Sequence, residues 1–230
     1  MAEVKQVHHK NESDLVVERA RDFWSRNGRT IMIACAAGIV LVGGWLAYKY
    51  LIKEPKEQKA AEAIWKAEDY FAQDSLKKAL SGDGQFAGFD KVISQYGGTS
   101  SAELARYYAG VIALKQGDNN KAVNDLKDFS TDAKQVQARA YKLLGDAYAN
   151  LGKNSDALAS YKKAGHEFEK DQQASAEYLF IAAYFADRVL NDKKQAIELY
   201  KEVFKKYPNS QFGFDAEKYL AQAGVYKTED

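Results

Sequence analysis

The sequence has little cysteine, proline or net charge. Its 230 residues include one cysteine and two prolines, and 33 basic residues nearly balance 32 acidic ones. One cysteine excludes an intrachain disulfide and argues against a cysteine-based zinc site. Without an excess of positive charge there is no strong attraction for nucleic-acid phosphates, so we expect no nucleic-acid partner. The scarcity of proline favours helices, because proline interrupts the helical hydrogen-bond ladder.

Signatures of catalysis and metal binding are also missing. The sequence has no phosphate-binding loop, no His-Glu-x-x-His pattern and no Gly-x-Ser-x-Gly motif. His166 is the one histidine beyond the apolar segment described below, and its neighbours Glu167 and Glu169 indicate a solvated helix end rather than a general base. We therefore expect no enzyme activity, no catalytic residue, no metal and no cofactor.

One long uncharged run stands out from this composition. Thr30–Tyr48 carries no charge, and the apolar character resumes after Lys49 and continues to Ile52. About 20 helical residues cross the ~30 Å hydrocarbon core of a bilayer, so residues 30–52 are predicted to be one transmembrane helix in contact with lipid. A buried core helix and a cleaved signal peptide are the alternatives. Because the run is apolar on every face and no small-x-small cleavage site ends it, we favour an uncleaved signal anchor.

The tail before this run is polar and rich in arginine. Within residues 1–29, Val16, Ala20 and Phe23 have helical spacing, which predicts an amphipathic helix at the membrane surface that ends at Asn27–Gly28. The orientation of the span does not follow from charge. Four basic residues lie just before the span and four just after it, which is a tie under the positive-inside rule.

An internal repeat dominates residues 53–230. The pattern of an aromatic-x2-Leu-Gly-x2-Tyr helix followed by an Ala-x3-aromatic helix occurs at Tyr141-x2-Leu144-Gly145-x2-Tyr148 and Ala157-x3-Tyr161. It closely resembles the tetratricopeptide repeat. Related copies predict three helix pairs, at about 102–133, 137–168 and 174–208, and a capping helix at about 212–223. The third copy has two extra residues in its turn, at about 190–194. Two further helices are predicted at Lys56–Phe71 and from Phe86 to Tyr96.

The repeat pattern also predicts how the helices pack. Small residues are expected where the two helices of a pair approach closely, and aromatic residues are expected to fill the space between successive pairs. The small residues are Gly110, Gly145 and Ala182, and the aromatic residues are Tyr148, Tyr161, Phe185 and Tyr200.

The whole arrangement resembles the bacterial YfgM-like family. The resemblance rests on the adjacent aromatics Phe23–Trp24, on Asn27–Gly28 followed by Arg29, and on a glycine-rich span that ends near Trp45 before a tetratricopeptide array. It implies an all-α, single-pass protein of the bacterial inner (cytoplasmic) membrane, with a cytoplasmic N-terminus and a periplasmic array. It also implies a non-enzymatic ancillary subunit of the SecYEG translocon. Such a subunit binds a membrane-anchored periplasmic chaperone of the PpiD type and assists nascent exported proteins as they leave the channel.

Two other functions remain open at this point. One is a membrane-anchored scaffold of the cell envelope, in division or outer-membrane assembly. The other is a docking module that faces the cytosol.

A concave surface lined by the first helix of each pair is the predicted binding site. The predicted groove residues are Tyr107, Val111, Lys142, Asp146, Leu179 and Ala183. This mixture of apolar, aromatic and charged groups suits a protein or peptide better than a small molecule. A clamp for a terminal carboxylate is not visible, because Asp146 would repel it.

Overall fold

The structure, a computed structural model, describes residues 12–225 and divides the chain into two units, Met1–Pro55 and Lys56–Asp230. Residues 1–11 of the predicted tail lie outside the described residues. All regular structure in the described part is helical, which confirms the all-α prediction. In the first unit, helix α1 runs from Glu12 to Tyr48 and a π-helical turn follows at Lys49–Lys53.

Helix α1 does not end at Asn27–Gly28, so that prediction is wrong. The helix passes through both residues without interruption. The Asn27 side-chain amide donates a hydrogen bond to the Phe23 carbonyl (3.2 Å), one turn back in the same helix. The Trp24 indole covers Gly28, where a Cβ would lie 3.3 Å from indole Nε1. Gly28 therefore serves as a close-packing position beside Trp24 rather than as a helix end.

Aromatic rings surround Lys49 where α1 ends. The Lys49 ammonium lies 5.6 Å from the centre of the Trp45 ring and 5.3 Å from that of Tyr50, within cation–π range. The Glu54 N–H bonds to the Lys49 carbonyl, an i to i+5 contact that defines the π turn. This wider turn ends two residues before Pro55, which has no N–H to continue an α-helical ladder.

Three helices follow: α2 (Glu54–Ala72), all but its first two residues in the second unit, then α3 (Leu76–Ser81) and α4 (Phe89–Tyr96). Sequence analysis did not predict α3. It placed Phe86 in the same helix as Phe89, but Phe86 lies in the preceding loop, where its ring meets Trp65 edge-on with centroids 5.9 Å apart. Asp83 shapes that loop, because its carboxylate accepts hydrogen bonds from the Phe86 N–H (2.7 Å) and the Tyr70 hydroxyl (2.6 Å).

Three antiparallel helix pairs and a last helix follow, with bounds α5 (Ser100–Lys115), α6 (Asn119–Lys127), α7 (Lys134–Asn150), α8 (Asn154–Glu167), α9 (Gln172–Arg188), α10 (Lys193–Lys206) and α11 (Gln211–Gln222). The first two turns each place a glycine at positive φ, Gly117 at 79° and Gly152 at 68°. The third turn places Asn191 there, at 54°. Asparagine tolerates this conformation better than most residues. The two extra residues of the third copy are divided between the end of α9 and this longer turn.

Close approach at glycine builds the first two pairs, as the sequence predicted, and the corresponding Ala182 of the third pair is fully buried. A Cβ added at Gly110 would lie 2.5 Å from Leu126 Cγ on α6, and one at Gly145 would lie 2.5 Å from the Tyr161 ring on α8. Tyr161, Phe185 and Tyr200 are buried and Tyr148 is half-buried, which confirms the aromatic packing. The buried apolar residues form three successive clusters along the array, and the partly buried Leu104, Tyr108 and Tyr148 pack against neighbouring clusters.

Helix α11 has the features of the first helix of a further repeat. Its terminal turn has Gly224 at φ 77°, and the Val225 N–H bonds to the Leu220 carbonyl (2.9 Å), as Lys153 bonds to Tyr148 after α7. In the second pair, the contact glycine Gly145 lies seven positions before the turn glycine Gly152. At the equivalent position before Gly224 the residue is Glu217. An exposed glutamate in place of the contact glycine makes this side of α11 unsuited to packing a second helix. The helix thus caps the apolar end of the array.

Candidate partner-binding surface

Two of the six predicted groove residues are buried in the core. Leu179 and Ala183 on α9 each have 0% of their surface exposed. Leu179 packs under α8, where a Cβ added at Gly165 would lie 2.5 Å from Leu179 Cγ. The expectation that Leu179 and Ala183 line a groove is therefore wrong. The second helix of the preceding pair covers the position of Leu179.

Tyr107 and Val111 on α5 are also more enclosed than predicted. Tyr107 is 9% exposed, and its ring lies 5.6 Å from that of Phe129, which directly follows α6 and its C-cap. Val111 is half-buried against the same core cluster. Both residues contribute mainly to packing between the first and second pairs.

Lys142 and Asp146 on α7 reach solvent, but they pair with each other. Lys142 Nζ lies 2.8 Å from Asp146 Oδ2, and the two side chains are 29% and 30% exposed. The Tyr161 hydroxyl donates a hydrogen bond to the other carboxylate oxygen of Asp146 (3.0 Å). Burial and the adjacent Asp146 charge raise the pKa of Tyr161, so this donor stays protonated. Lys142 and Asp146 therefore present to a partner a hydrogen-bonded ion pair with no net charge.

A different trio, Tyr107, Arg139 and Tyr178, has one member on each of the three first helices, α5, α7 and α9. Burial raises the pKa of Tyr107, and the positive charge of Arg139 partly offsets that effect. The pKa of Tyr178 is raised in the same way, and Arg139 again opposes the rise. One guanidinium therefore acts on a tyrosine from each neighbouring pair.

A pocket of about 190 Å³ adjoins this trio. Its lining residues include Arg139, Phe168, Asp171, Ser175 and Tyr178. Tyrosine and arginine are the residue types most enriched at the energetic centres of protein interfaces. Sequence analysis missed Arg139 and Tyr178 as surface residues, because it took Leu179 and Ala183 as the groove residues of α9 and none from the Arg139 position of α7.

Comparison with known families identifies the fold. A family model described as a tetratricopeptide repeat-like domain matches residues 21–140, just over half of the chain. The chain belongs to this tetratricopeptide repeat-like family. A second model, for a tetratricopeptide repeat, matches residues 177–210, which correspond to the third helix pair. No curated protein matches the chain significantly.

The tetratricopeptide architecture makes the array a protein–protein interaction scaffold, a fold that is typically non-catalytic. Within residues 12–225, no group of three or more His, Cys, Asp or Glu side chains could hold a metal ion. His166 Nδ1 lies 3.3 Å from Glu169 and 3.7 Å from Glu202, and Lys206 pairs with both carboxylates. Lys206 of α10 thus forms ion pairs with Glu202 of its own helix and with Glu169, which lies just after α8, and His166 lies beside both carboxylates.

The tetratricopeptide match begins within α1, so it includes the apolar segment. Among the described residues, one helical stretch is long and apolar enough to cross a membrane. None of the 18 residues in its most apolar part is buried. Ile39, Leu41 and Leu51 are each more than 70% exposed. These properties are compatible with a single-pass membrane anchor or a signal sequence.

Proposed function

We propose that this protein is a single-pass membrane anchor for a tetratricopeptide array that holds partner proteins at the exit of the SecYEG translocon. The array would bind a PpiD-type membrane-anchored chaperone and nascent exported proteins, from the periplasmic side of the bacterial inner membrane. The observation that carries the anchor is the set of uncovered apolar side chains along α1. Such a surface is stable in lipid but not in water.

Two further features support retention of the anchor. The helix continues through the whole apolar run and ends among Trp45, Lys49 and Tyr50, which is the arrangement expected at a membrane interface. The array after it forms a compact unit of its own, from Lys56 onward. An anchor raises the local concentration of the array near other membrane proteins, so modest intrinsic affinities suffice.

Topology gives the first prediction. Protease added to intact spheroplasts should degrade residues 56–230 and leave an epitope tag at the N-terminus protected. In lysed spheroplasts the tag should be lost as well. Protection of the array in intact spheroplasts would reverse the orientation and favour a docking module that faces the cytosol.

Partner recovery tests the translocon itself. Full-length protein and a version without residues 30–52, exported by a cleavable signal peptide, would be crosslinked in the same cells. We expect full-length protein to recover SecYEG and the PpiD-type chaperone, and the version without the span to recover the chaperone with a lower yield of SecYEG. If neither version recovers them, the translocon proposal is wrong and the cell-envelope scaffold takes its place.

A further inference from the structure

The outward sides of α8 and α10, the second helices of two successive pairs, carry a cluster of lysines. We call this surface the basic face, and its members are Lys162 and Lys163 on α8 and Lys194, Lys201 and Lys205 on α10. All five reach solvent, since Lys162 is half-buried and the other four are exposed. The two helices are neighbours here, because His166 Nδ1 of α8 lies 3.7 Å from Glu202 Oε1 of α10.

The positive charge of the basic face is not compensated by the carboxylates around it. Glu167 pairs with Lys134 at 2.6 Å, and Glu169 and Glu202 both pair with Lys206, at 2.8 and 3.0 Å. Within residues 12–225, the lysines of the basic face form no ion pair, and Glu198 is the acidic residue that lies among them on α10. Residues 53–230 contain 26 basic and 27 acidic residues, so this excess of positive charge is local.

A shallow cleft of about 490 Å³ opens at the α8 end of the basic face. Tyr141, Ala159, Lys162, Lys163 and His166 are among its lining residues. The Lys163 ammonium lies 5.8 Å from the centre of the Tyr141 ring, within cation–π range. The cleft therefore has room for a small anionic group beside two lysines.

The residue types of the basic face favour lipid over protein as its ligand. Helices α8 and α10 contain no arginine, and lysine is depleted at protein–protein interfaces, where arginine and large aromatic residues dominate. Clusters of lysine are typical of surfaces that bind anionic lipids, because a compact ammonium group attracts phosphates without a fixed geometry. The concave side, which the first helices form, stays free for protein partners.

We propose that the basic face binds the headgroups of anionic phospholipids at a bilayer surface. Headgroup phosphates lie beside Lys162 and Lys163 at the cleft and beside Lys201 and Lys205 on α10. The proposal rests on the membrane anchor of the proposed function, because an anchor keeps a bilayer within reach of the array, but the translocon has no part in it. Lipid binding is tested on the array without its anchor. If the array ignores anionic lipid while the protease assay gives the expected topology, the anchor stands and the lipid proposal fails.

Sedimentation of residues 56–230 with lipid vesicles tests the proposal, since these residues form a compact unit with its own core. The probes are vesicles of pure phosphatidylcholine and vesicles of equal parts phosphatidylcholine and phosphatidylglycerol. We expect at least about fivefold tighter binding to the anionic vesicles, and loss of this difference as salt rises from about 0.1 M to about 1 M. Equal binding to the two kinds of vesicle would overturn the proposal, and so would binding that salt does not weaken.

Lys201→Gln combined with Lys205→Gln removes two charges from the basic face. One lysine near an anionic membrane contributes about fivefold to binding, so the double variant should bind anionic vesicles at least about tenfold more weakly. Lys59→Gln combined with Lys91→Gln is the matched control, because it removes the same charge from exposed positions of α2 and α4. The control should bind within about twofold of the unmodified array. Equal weakening by the two double variants would show that net charge alone attracts the lipid, and would overturn the assignment to the basic face.

An acidic protein is the alternative ligand, and soluble polyglutamate tests for it. We expect the anionic vesicles to bind the array more tightly than polyglutamate of equal total charge, because a bilayer presents many headgroups to the whole basic face at once. Tighter binding of polyglutamate would overturn the proposal and assign the basic face to an acidic protein partner.

Discussion

Replacing Gly145 with leucine should lower the melting temperature of the array by about 4–8 °C, because a domain of this size loses about 2–4 °C per kcal/mol. A Cβ at this position would already lie 2.5 Å from the Tyr161 ring, and leucine adds three further carbons. Overpacking costs about 1–3 kcal/mol and here lies at the upper end, while the gain in helix propensity over glycine stays below about 1 kcal/mol. The net loss is about 2 kcal/mol.

The Tyr161 ring cannot move aside to make room. Its hydroxyl donates a hydrogen bond to Asp146 (3.0 Å), and its ring makes a T-shaped contact with the Phe185 ring, with centroids 5.5 Å apart. A shift of Tyr161 would therefore disturb both the second and the third helix pairs. This coupling is the reason to expect a loss near the top of the overpacking range.

Thermal unfolding of residues 56–230, followed by circular dichroism, is the measurement, because these residues form a compact unit with their own core. Ala159→Leu is the control: it adds similar bulk at an exposed position of α8 and should change stability by less than about 0.5 kcal/mol. An unchanged melting temperature for Gly145→Leu would show that α7 and α8 are further apart at this point.

Contacts within a helix pair could be predicted from the sequence. Gly145 and Tyr161 lie in a motif whose spacing places a small residue on one helix opposite a large one on the next, and Gly110 and Leu126 repeat that relation. In both contacts the two residues lie close in sequence, and the turn between them contains a glycine that can be recognised in the sequence. Local periodicity therefore carries the fold class and the packing within each pair.

Contacts between pairs could not be predicted in the same way. Gly165 has no place in the motif, yet it lets α9 approach α8 closely enough to bury Leu179. Helical periodicity indicates which side a residue occupies, but not which neighbouring helix covers that side. The predicted groove therefore included two core residues and missed Arg139, which lines one pocket with Tyr178 of the next pair because of how successive pairs stack.

The continuation of α1 through Asn27–Gly28 shows a second limit of prediction from local sequence preferences. A glycine after asparagine is typical of a helix end, because glycine readily adopts positive φ. Gly28 remains helical instead, because the bulky Trp24 indole packs over it and fills the space a side chain would need. Here contact with a neighbouring side chain overrides backbone preference.

Gly213→Ala should destabilise the capped end of the array by about 3 kcal/mol, the upper end of the overpacking range, although it adds a single methyl group. The added Cβ would lie 2.1 Å from the Tyr207 carbonyl oxygen, a backbone atom that ends α10. Two hydrogen bonds from Ser210 hold that carbonyl in place, from its N–H (3.1 Å) and its hydroxyl (2.9 Å). The backbone between α10 and α11 must therefore shift to accommodate alanine.

A shift of α11 would uncover the aromatic cluster beneath it. Phe180 contacts Phe212 and Tyr219 of α11, with ring centroids 5.6 and 5.7 Å away, and Tyr200 stacks on Tyr219. We expect Gly213→Ala to weaken the near-ultraviolet dichroism of these rings, to bind a hydrophobic dye and to be cut by protease between α10 and α11. The helix pairs near Gly145 should keep their protection, because an array of repeats loses structure from its ends.

Gly97→Ala is the matched control for Gly213→Ala. Gly97 has a negative φ (φ −46°, ψ 136°), and a Cβ there would meet its nearest neighbour, the Ile93 carbonyl oxygen, at 3.4 Å. Alanine fits at this position and should leave stability unchanged or raise it by about 0.4–1 kcal/mol, because it restricts the unfolded chain. If both variants melt like the unmodified protein, the backbone at the junction of α10 and α11 has more room for a Cβ at Gly213 than the 2.1 Å separation implies. Helix α11 then caps the array through its side chains alone.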